Sequence, residues 1–202
     1  MKISEIFPSI QGEGRGQGRV TTFARLAGCN LRCRWCDTRY AWDGGEEMSV
    51  EAIATAVRDI GIRRVCITGG EPLLQGDELS ELLAILAEEQ YEIEIETNGT
   101  IDPSPYRRYA TICMDVKCPA SGEESDLTLL SRLGPRDAVK FVVSDLEDLR
   151  YMVGIITHFP TEAELIVSPV HGTDLRLAAD FVLDRRLPVR LQVQLHKIVG
   201  VR

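Results

Sequence analysis

The sequence predicts a single α/β domain whose parallel sheet is covered by crossover helices. Two observations lead to this fold class: seven short apolar, β-branched runs have the length of strands, and segments with apolar residues at helical spacing lie between them. Strands that alternate with helices form either an open α/β sheet or an incomplete (β/α) barrel. A complete eight-unit barrel typically needs about 250 residues. A complete barrel is therefore not expected, and the length of 202 residues suits one domain over residues 1–202.

The strands are predicted where apolar and β-branched residues cluster in runs that are short enough for a strand. In chain order these runs are Val20–Ala27, Arg64–Thr68, Glu92–Thr97, Ile112–Lys117, Val139–Val143, Glu164–Ser168 and Val189–Leu195.

The helices are predicted from apolar residues that recur every three or four positions. These patterns begin at Val50, Leu79, Leu149 and Leu177. The corresponding N-caps are assigned to Ser49, Asp77, Ser144 and Thr173, and Glu147 completes a capping box with Ser144. Residues 100–109 and 119–126 are rich in Pro, Ser, Gly and charge, so they are predicted to be loops.

Composition narrows the classes of function. With 23 basic and 31 acidic side chains the net charge is −8, a balance that repels phosphate backbones, so nucleic acid is not an expected direct partner. No apolar run is long enough to cross a membrane, and the N-terminus lacks a signal-peptide pattern, so a cytoplasmic protein is expected. Six cysteines in a reducing cytosol are expected to be metal ligands or core residues, not disulfides.

Three cysteines lie within eight residues, directly after the first predicted strand. Cys29, Cys33 and Cys36 are therefore expected on a loop at the carboxyl edge of the sheet, where α/β folds build their sites. Thiolates bind iron–sulfur clusters or zinc, and a cubane held by three cysteines leaves one iron free for a small molecule. Two alternatives stay open: buried packing, and a zinc site completed by a distant histidine such as His158, His171 or His196. The other thiols, Cys66, Cys113 and Cys118, are expected in or near the core.

The triplet resembles the signature of the radical S-adenosylmethionine superfamily, and residues 68–72, Thr-Gly-Gly-Glu-Pro, resemble that superfamily's GGEP motif. Paired glycines at a strand end let backbone approach a ligand closely, and the adjacent carboxylate of Glu71 is expected to hold an ammonium group. Further blocks are similar to one family, 7-carboxy-7-deazaguanine synthase. They are residues 5–7 (EIF), 10–14 (IQGEG), 23–25 (FAR), 27–31 (AGCNL), 35–38 (WCDT), 95–99 (IETNG) and 196–197 (HK).

The resemblance implies a fold, an activity and a set of partners. The fold would be an incomplete (β/α) barrel of the radical S-adenosylmethionine type in one domain. The activity would be conversion of 6-carboxy-5,6,7,8-tetrahydropterin to 7-carboxy-7-deazaguanine with loss of ammonia, on the route to 7-deazapurine nucleosides of transfer RNA. It also implies a [4Fe–4S] cluster, S-adenosylmethionine, Mg²⁺, an external flavodoxin- or ferredoxin-type electron donor and a homodimer. A glycyl-radical activating enzyme shares the triplet and the GGEP-like turn, but the Gln-Gly-Glu-Gly block argues against it.

The resemblance also assigns roles to residues. Cys29, Cys33 and Cys36 would bind the cluster and Thr38 would bind Mg²⁺. The cofactor-binding residues would be Trp35, Cys36, Asp37, Gly70, Asp115, Val116, Lys117, Ser168, Pro169, Val170 and His171. The substrate-binding residues would be Ile10, Gln11, Gly12, Glu13, Arg25, Thr68, His196 and Arg202. In relatives the last residue is a proline in the substrate site; here we expect the backbone of Arg202 to keep that role and its side chain to point to solvent.

Overall fold

Nine strands form one open sheet in the computed structural model, which describes residues Met1–Arg202. The strands are β1 (Lys2–Ile10), β2 (Val20–Leu26), β3 (Glu46–Glu47), β4 (Arg64–Gly69), β5 (Glu92–Thr97), β6 (Thr111–Lys117), β7 (Ala138–Val143), β8 (Glu164–Pro169) and β9 (Arg190–Leu191). Their order is β3-β1-β2-β4-β5-β6-β7-β8-β9, and β2 is parallel to β4 as is every later neighbouring pair. The sheet does not close, so the predicted incomplete barrel is confirmed.

Five helices connect or follow the strands: α1 (Val50–Ile60), α2 (Gly76–Glu88), α3 (Leu146–His158), α4 (Leu175–Arg185) and α5 (Leu195–Val199). None of them is both long and apolar enough to span a bilayer. The predicted N-cap of α1 is confirmed, because the Ser49 hydroxyl accepts a hydrogen bond from the Ala52 amide.

The other three caps were predicted wrongly. Asp77 lies in the first turn of α2, where its charge favours the positive end of the helix dipole, and Gln75 occupies the cap position. Asp145, not Ser144, caps α3, since its carboxylate accepts hydrogen bonds from two helical amides. Asp174 caps α4 in the same way, one residue after the predicted Thr173.

Two strand assignments also need correction. β1 was not predicted, because Pro8 lowers the strand signal of its segment; the strand tolerates Pro8 since β3 pairs only with Lys2 and Ile3 at its other end. The last predicted strand shortens to Arg190–Leu191, and the chain then forms α5 from Leu195. His196 therefore lies on a helix.

The two faces of the sheet differ in polarity because strand side chains alternate. In β5, Ile93 and Ile95 belong to the 37-residue core under the helices, whereas Glu94 and Glu96 point to the inner, concave face. Similar alternation places Asp115 and Lys117 of β6 and Lys140 of β7 on that inner face. The fold thus lines the inside of the half-barrel with charged groups.

Candidate active site

A cavity of about 530 Å³ opens at the carboxyl ends of the parallel strands. It brings together nineteen of the residues predicted from the sequence: Ile10, Gln11, Gly12, Glu13, Arg25, Cys29, Cys33, Trp35, Cys36, Asp37, Thr38, Thr68, Gly70, Asp115, Lys117, Val170, His171, His196 and Arg202. Three others, Val116, Ser168 and Pro169, are buried beside it without lining it.

The cysteine loop forms one wall of this cavity. Gly28, at φ +100°, turns the chain out of β2 in a conformation that favours glycine. Cys29 and Cys36 are half-buried, Cys33 is buried, and all three are free thiols. Burial raises the pKa of Cys29 and of Cys33, and the Lys117 ammonium partly offsets the effect at Cys33. Both thiols are thus protonated in the free protein, and metal binding would release their protons.

The donor set fits a cubane better than a zinc ion. No three His, Cys, Asp or Glu side chains lie close enough together to hold one metal ion, whereas a structural zinc needs four ligands around it. Of the three histidines that could complete a zinc site, His158 lies at the end of α3, bonded to the Gly154 carbonyl and outside the cavity, whereas His171 and His196 line the cavity but form no cluster of metal ligands with the cysteines. A cubane needs only one thiolate for each of three irons. The indole N–H of Trp35, a buried donor without a partner beside Cys36, is free for a bound cofactor.

The GGEP-like turn packs against the cysteine loop. A Cβ atom at Gly70 would overlap the carbonyl of Gly28 and approach the Cβ of Cys29. The paired glycines therefore let two loops of this chain meet, in addition to any approach to a ligand.

Glu71 does not act as predicted. It is fully buried and accepts hydrogen bonds from the Leu73 amide (3.0 Å), the Thr97 hydroxyl (2.9 Å) and the Asn98 amide (2.6 Å). Burial raises the pKa of this carboxyl, and its bonds tie the turn to the end of β5. The expectation that it holds an ammonium group in the cavity is wrong, because these partners occupy both of its oxygens.

The opposite wall carries the residues matched to the substrate. The Gln11 amide donates to Glu96 Oε1 at 3.1 Å, and the Thr68 hydroxyl donates to Glu96 Oε2 at 2.9 Å. Gln11 is buried and Glu96 half-buried. Glu96 thus fixes the orientation of two side chains that were predicted to contact the substrate.

Arg25 is held from two sides. Its Nε donates to Glu5 Oε1 at 2.9 Å, and Nη1 lies 3.4 Å from the Thr38 hydroxyl. Tyr40 donates to the same Glu5 oxygen at 2.7 Å. A guanidinium has five N–H donors, so Arg25 keeps donors for a carboxylate of a ligand.

Helix α5 covers part of the cavity. The Leu195 amide donates to the Gly12 carbonyl at 3.0 Å, and a Cβ atom at Gly12 would overlap the His196 imidazole. Lys197 Nζ lies 2.8 Å from Asp37 Oδ2, so the helix is joined to the cysteine loop. The imidazole of His196, whose Nε2 lies 4.0 Å from Asp37 Oδ2, and the ammonium group of Lys197 hold the pKa of Asp37 well below its usual range.

The side chain of Arg202 folds back onto β1 although it is 69% exposed. Its guanidinium pairs with Glu5 and lies 4.6 Å from the centre of the Phe7 ring. The expected solvent exposure is therefore found, but the guanidinium does not extend freely into solvent, since an anion and an aromatic ring both attract it.

A buried charge network joins the two walls at the bottom of the cavity. Lys117 Nζ lies 2.8 Å from Asp115 Oδ2, and Lys140 Nζ lies 3.2 Å from Asp115 Oδ1 and 2.5 Å from Glu13 Oε2. Although burial alone would raise the pKa of Asp115, the two lysines lower it. The positive charges of the two lysines are therefore matched by the negative charges of Asp115 and Glu13.

Sequence reasoning gave no role to Glu5, Tyr40 or Lys140. Glu5 belongs to the EIF block, which was quoted without a function, and Tyr40 lies just beyond the cysteine loop. For Lys140 a signal existed: a lysine inside an otherwise apolar strand is unusual unless it is paired.

Comparisons with known proteins first identify the superfamily. A model of the radical SAM superfamily matches residues 25–116. The fold is shared by SuiB from Streptococcus suis, solved bound to the precursor peptide SuiA, with a TM-score of 0.62 and 15% identity over 85% of this chain and 48% of that one. The SuiB match shows the fold, and the superfamily model together with the cysteine loop and the GGEP-like turn places the chain among the radical S-adenosylmethionine proteins.

Relatives that match over the full length of the chain then identify the family within that superfamily. A protein from Methanospirillum hungatei named 7-carboxy-7-deazaguanine synthase is 49% identical over all of this chain and 86% of its own length. One of the same name from Clostridium acetobutylicum is 37% identical over 98% of this chain and 95% of its own. The crystal structure of QueE from Escherichia coli matches with a TM-score of 0.79 and 25% identity over 96% of this chain and 94% of that one. The chain belongs to the 7-carboxy-7-deazaguanine synthase family, as the sequence predicted.

Proposed function

We propose that this protein converts 6-carboxy-5,6,7,8-tetrahydropterin to 7-carboxy-7-deazaguanine with release of ammonia. The observation that carries the proposal is the cavity itself, which has a three-cysteine loop on one wall and polar substrate-type residues on the other. Membership of the family, over the full length of the chain, agrees with it.

Cys29, Cys33 and Cys36 would hold a [4Fe–4S] cluster, and the adjoining walls would hold S-adenosylmethionine. When bound, this pair supplies the one-electron chemistry that yields a hydrogen-abstracting 5′-deoxyadenosyl radical. The protein's contribution is to orient the reactants and exclude competing reactions. Trp35 offers an unpaired N–H for the cofactor, and Gly70 offers backbone without a side chain in the way. Asp37, Asp115, Lys117, Val170 and His171 complete the proposed cofactor wall, with Val116, Ser168 and Pro169 behind it.

The substrate would lie between Gln11, Glu13 and Arg25. A carboxylate and an amide side chain suit the donors and acceptors of a pterin ring, and a guanidinium suits its carboxylate. Thr68, Ile10, Gly12, His196 and Arg202 would complete this wall.

We propose Mg²⁺ beside Thr38, because a hard cation prefers oxygen ligands and can join protein to an anionic substrate. The Thr38 hydroxyl lies between Asp37 (3.0 Å) and Arg25 (3.4 Å), close to the proposed position of the substrate carboxylate. Thr38→Val should weaken the response of turnover to added Mg²⁺ while sparing reductive cleavage of S-adenosylmethionine. An unchanged Mg²⁺ titration would refute this role.

We also propose a cellular compartment, a pathway, an electron donor and an oligomeric state. Six free thiols suit the reducing cytoplasm, and the product would enter 7-deazapurine synthesis for transfer RNA. A flavodoxin- or ferredoxin-type protein would supply the electron. Large apolar side chains left exposed on α4 and α5, Leu183 and Ile198 among them, support a homodimer, which light scattering would test.

The decisive experiment is anaerobic incubation of reconstituted protein with the carboxytetrahydropterin, S-adenosylmethionine and a reductant, followed by mass analysis. We expect the deazaguanine and ammonia in equal amounts. Absence of product from protein with an intact cluster would overturn the assignment.

A further inference from the structure

Lys140 is a buried cation at the bottom of the cavity with two carboxylates for partners. It lies on β7 beside Asp115 of β6 in the register of the sheet, and it is 3% exposed. Its Nζ atom is 2.5 Å from Glu13 Oε2 and 3.2 Å from Asp115 Oδ1. Lys140 thus joins a residue of the proposed substrate wall to one of the proposed cofactor wall.

Glu13 depends on this cation. Its side chain is 12% exposed, and its second oxygen accepts a weak hydrogen bond from the Ser168 hydroxyl at 3.3 Å. Asp115 also pairs with Lys117, so Lys140 is the only cation in contact with Glu13. Burial alone would lower the pKa of Lys140, but Asp115 and Glu13 raise it, and the ammonium stays charged.

The position of the two Glu13 oxygens decides which ligand groups this side chain can recognise. An ionised carboxylate only accepts hydrogen bonds, and its two oxygens match two parallel N–H groups. A pterin presents such a pair, the 2-amino group and N3–H. A lumazine has a carbonyl in place of the 2-amino group, so its oxygen would face the carboxylate without a proton between them.

We propose that Lys140 is a specificity-determining residue that holds the Glu13 carboxylate in position as an acceptor facing the substrate, so that the cavity selects 2-aminopyrimidinone rings over their 2-oxo counterparts. The inference rests on the proposed function, because it concerns the substrate wall of the same site. Lys140 acts through Glu13 and is a positioning residue, not a catalytic one.

The test is equilibrium binding to anaerobically reconstituted protein carrying cluster and S-adenosylmethionine. The ligands are 6-carboxypterin, which has no hydrogen on C6 and does not turn over, and 6-carboxylumazine. We expect wild type to prefer the pterin by about a hundredfold or more, since a buried polar site rejects a ligand that leaves it unpaired. Lys140→Met should reduce the ratio of the two dissociation constants to within about fivefold. Lys2→Met, on an exposed lysine of β1 outside the cavity, is the matched control and should keep the wild-type ratio.

A second variant keeps the test decisive if Lys140→Met does not fold. Lys140→His carries a charge that titrates near neutral pH, so its preference for the pterin should be strong near pH 5.5 and lost near pH 7.5, whereas wild type keeps it at both; in this range the N3–H of the pterin stays protonated. A damaged fold would weaken the binding of both ligands equally, so each variant is scored only if it binds at least one of the two ligands as tightly as wild type does. Retention of the preference by Lys140→Met, or a pH-independent ratio in Lys140→His, would overturn the role of Lys140 alone. Failure of wild type to bind 6-carboxypterin would instead count against the proposed substrate.

Discussion

Glu71 and Glu96 are both carboxylates at the carboxyl edge of the sheet, but only Glu96 lines the cavity. Glu71 accepts hydrogen bonds from three residues and connects the GGEP-like turn to β5. A buried carboxylate with such partners contributes to folding more than to chemistry, because removing it would leave several donors unpaired. Residue type and sequence position alone do not separate the two roles.

The cysteines also divide into residues that line the cavity and residues that lie in the core, and this division predicts which of them are needed for iron binding. Replacing Cys29, Cys33 or Cys36 with Ala should abolish cluster binding and turnover together, because each thiolate would bind one iron. Cys118→Ala is the matched control: Cys118 is fully buried and outside the cavity, and burial raises the pKa of its thiol. Iron and sulfide analysis after anaerobic reconstitution should give about four of each per chain for wild type and the control. Loss of iron from Cys118→Ala would show that the ligand set is wrong.

At the scale of the elements, the GGEP-like turn and the cysteine loop are in close backbone contact at Gly70, and a substitution there tests this contact. Gly70→Ala should displace the cysteine loop, since the new Cβ would overlap the Gly28 carbonyl. We expect a loss of roughly 1–3 kcal/mol in unfolding free energy from overpacking together with reduced iron content. Gly154→Ala is the control, because a Cβ atom there meets nothing within 4 Å and alanine favours the helix. Full cluster loading of Gly70→Ala would contradict the proposed contact between the two loops.

Strand β5 carries a pH-dependent group on its inner face. Burial and the neighbouring charge of Glu96 raise the pKa of Glu94 to about 7, although Arg64 opposes the shift. A carboxyl with a raised pKa binds more protons in the folded state than in the unfolded state between about pH 4.3 and its folded pKa. Stability from this group is therefore present at low pH and is lost as the pH rises through that window.

Glu94→Gln should flatten this dependence. Denaturant unfolding of both proteins between pH 5 and 8 should show a difference in slope worth up to about 3 kcal/mol. The slope is the readout, because Gln also removes an ion pair with Arg64 and lowers stability at every pH. Parallel curves for the two proteins would rule out Glu94 as the source.

At the scale of the whole molecule, the sequence predicted those features of the fold and the site that depend on residues close together in the chain. Strand and helix periodicity predicted the open α/β architecture, and the cysteine spacing with the GGEP-like turn predicted one wall of the site. Pattern did not predict β1, where Pro8 obscures a strand that is stabilised by pairing with β2 and, at Lys2 and Ile3, with β3. It also did not predict the Lys140–Glu13 ion pair, whose partners are 127 residues apart in the chain and meet only when the sheet curves.

The position of α5 over the cavity likewise depends on contacts between residues far apart in the chain. One of them, the Lys197–Asp37 ion pair, can be tested by substitution. Asp37 remains ionised at neutral pH because His196 and Lys197 hold its pKa well below the usual range, so the Lys197–Asp37 pair joins the two segments across the working pH range. Both partners are partly exposed, and such pairs contribute at most about 1 kcal/mol.

Lys197→Met should therefore raise the Michaelis constant for the pterin only about two- to fivefold, with cluster content unchanged, because α5 would hold His196 against Gly12 less firmly. Steady-state kinetics at pH 6.5 and 8.5 should give the same ratio to wild type. Lys2→Met should match wild type, since Lys2 is exposed on β1 away from the cavity. A Michaelis constant equal to that of wild type would mean that the backbone bonds of α5 hold it in place without the ion pair.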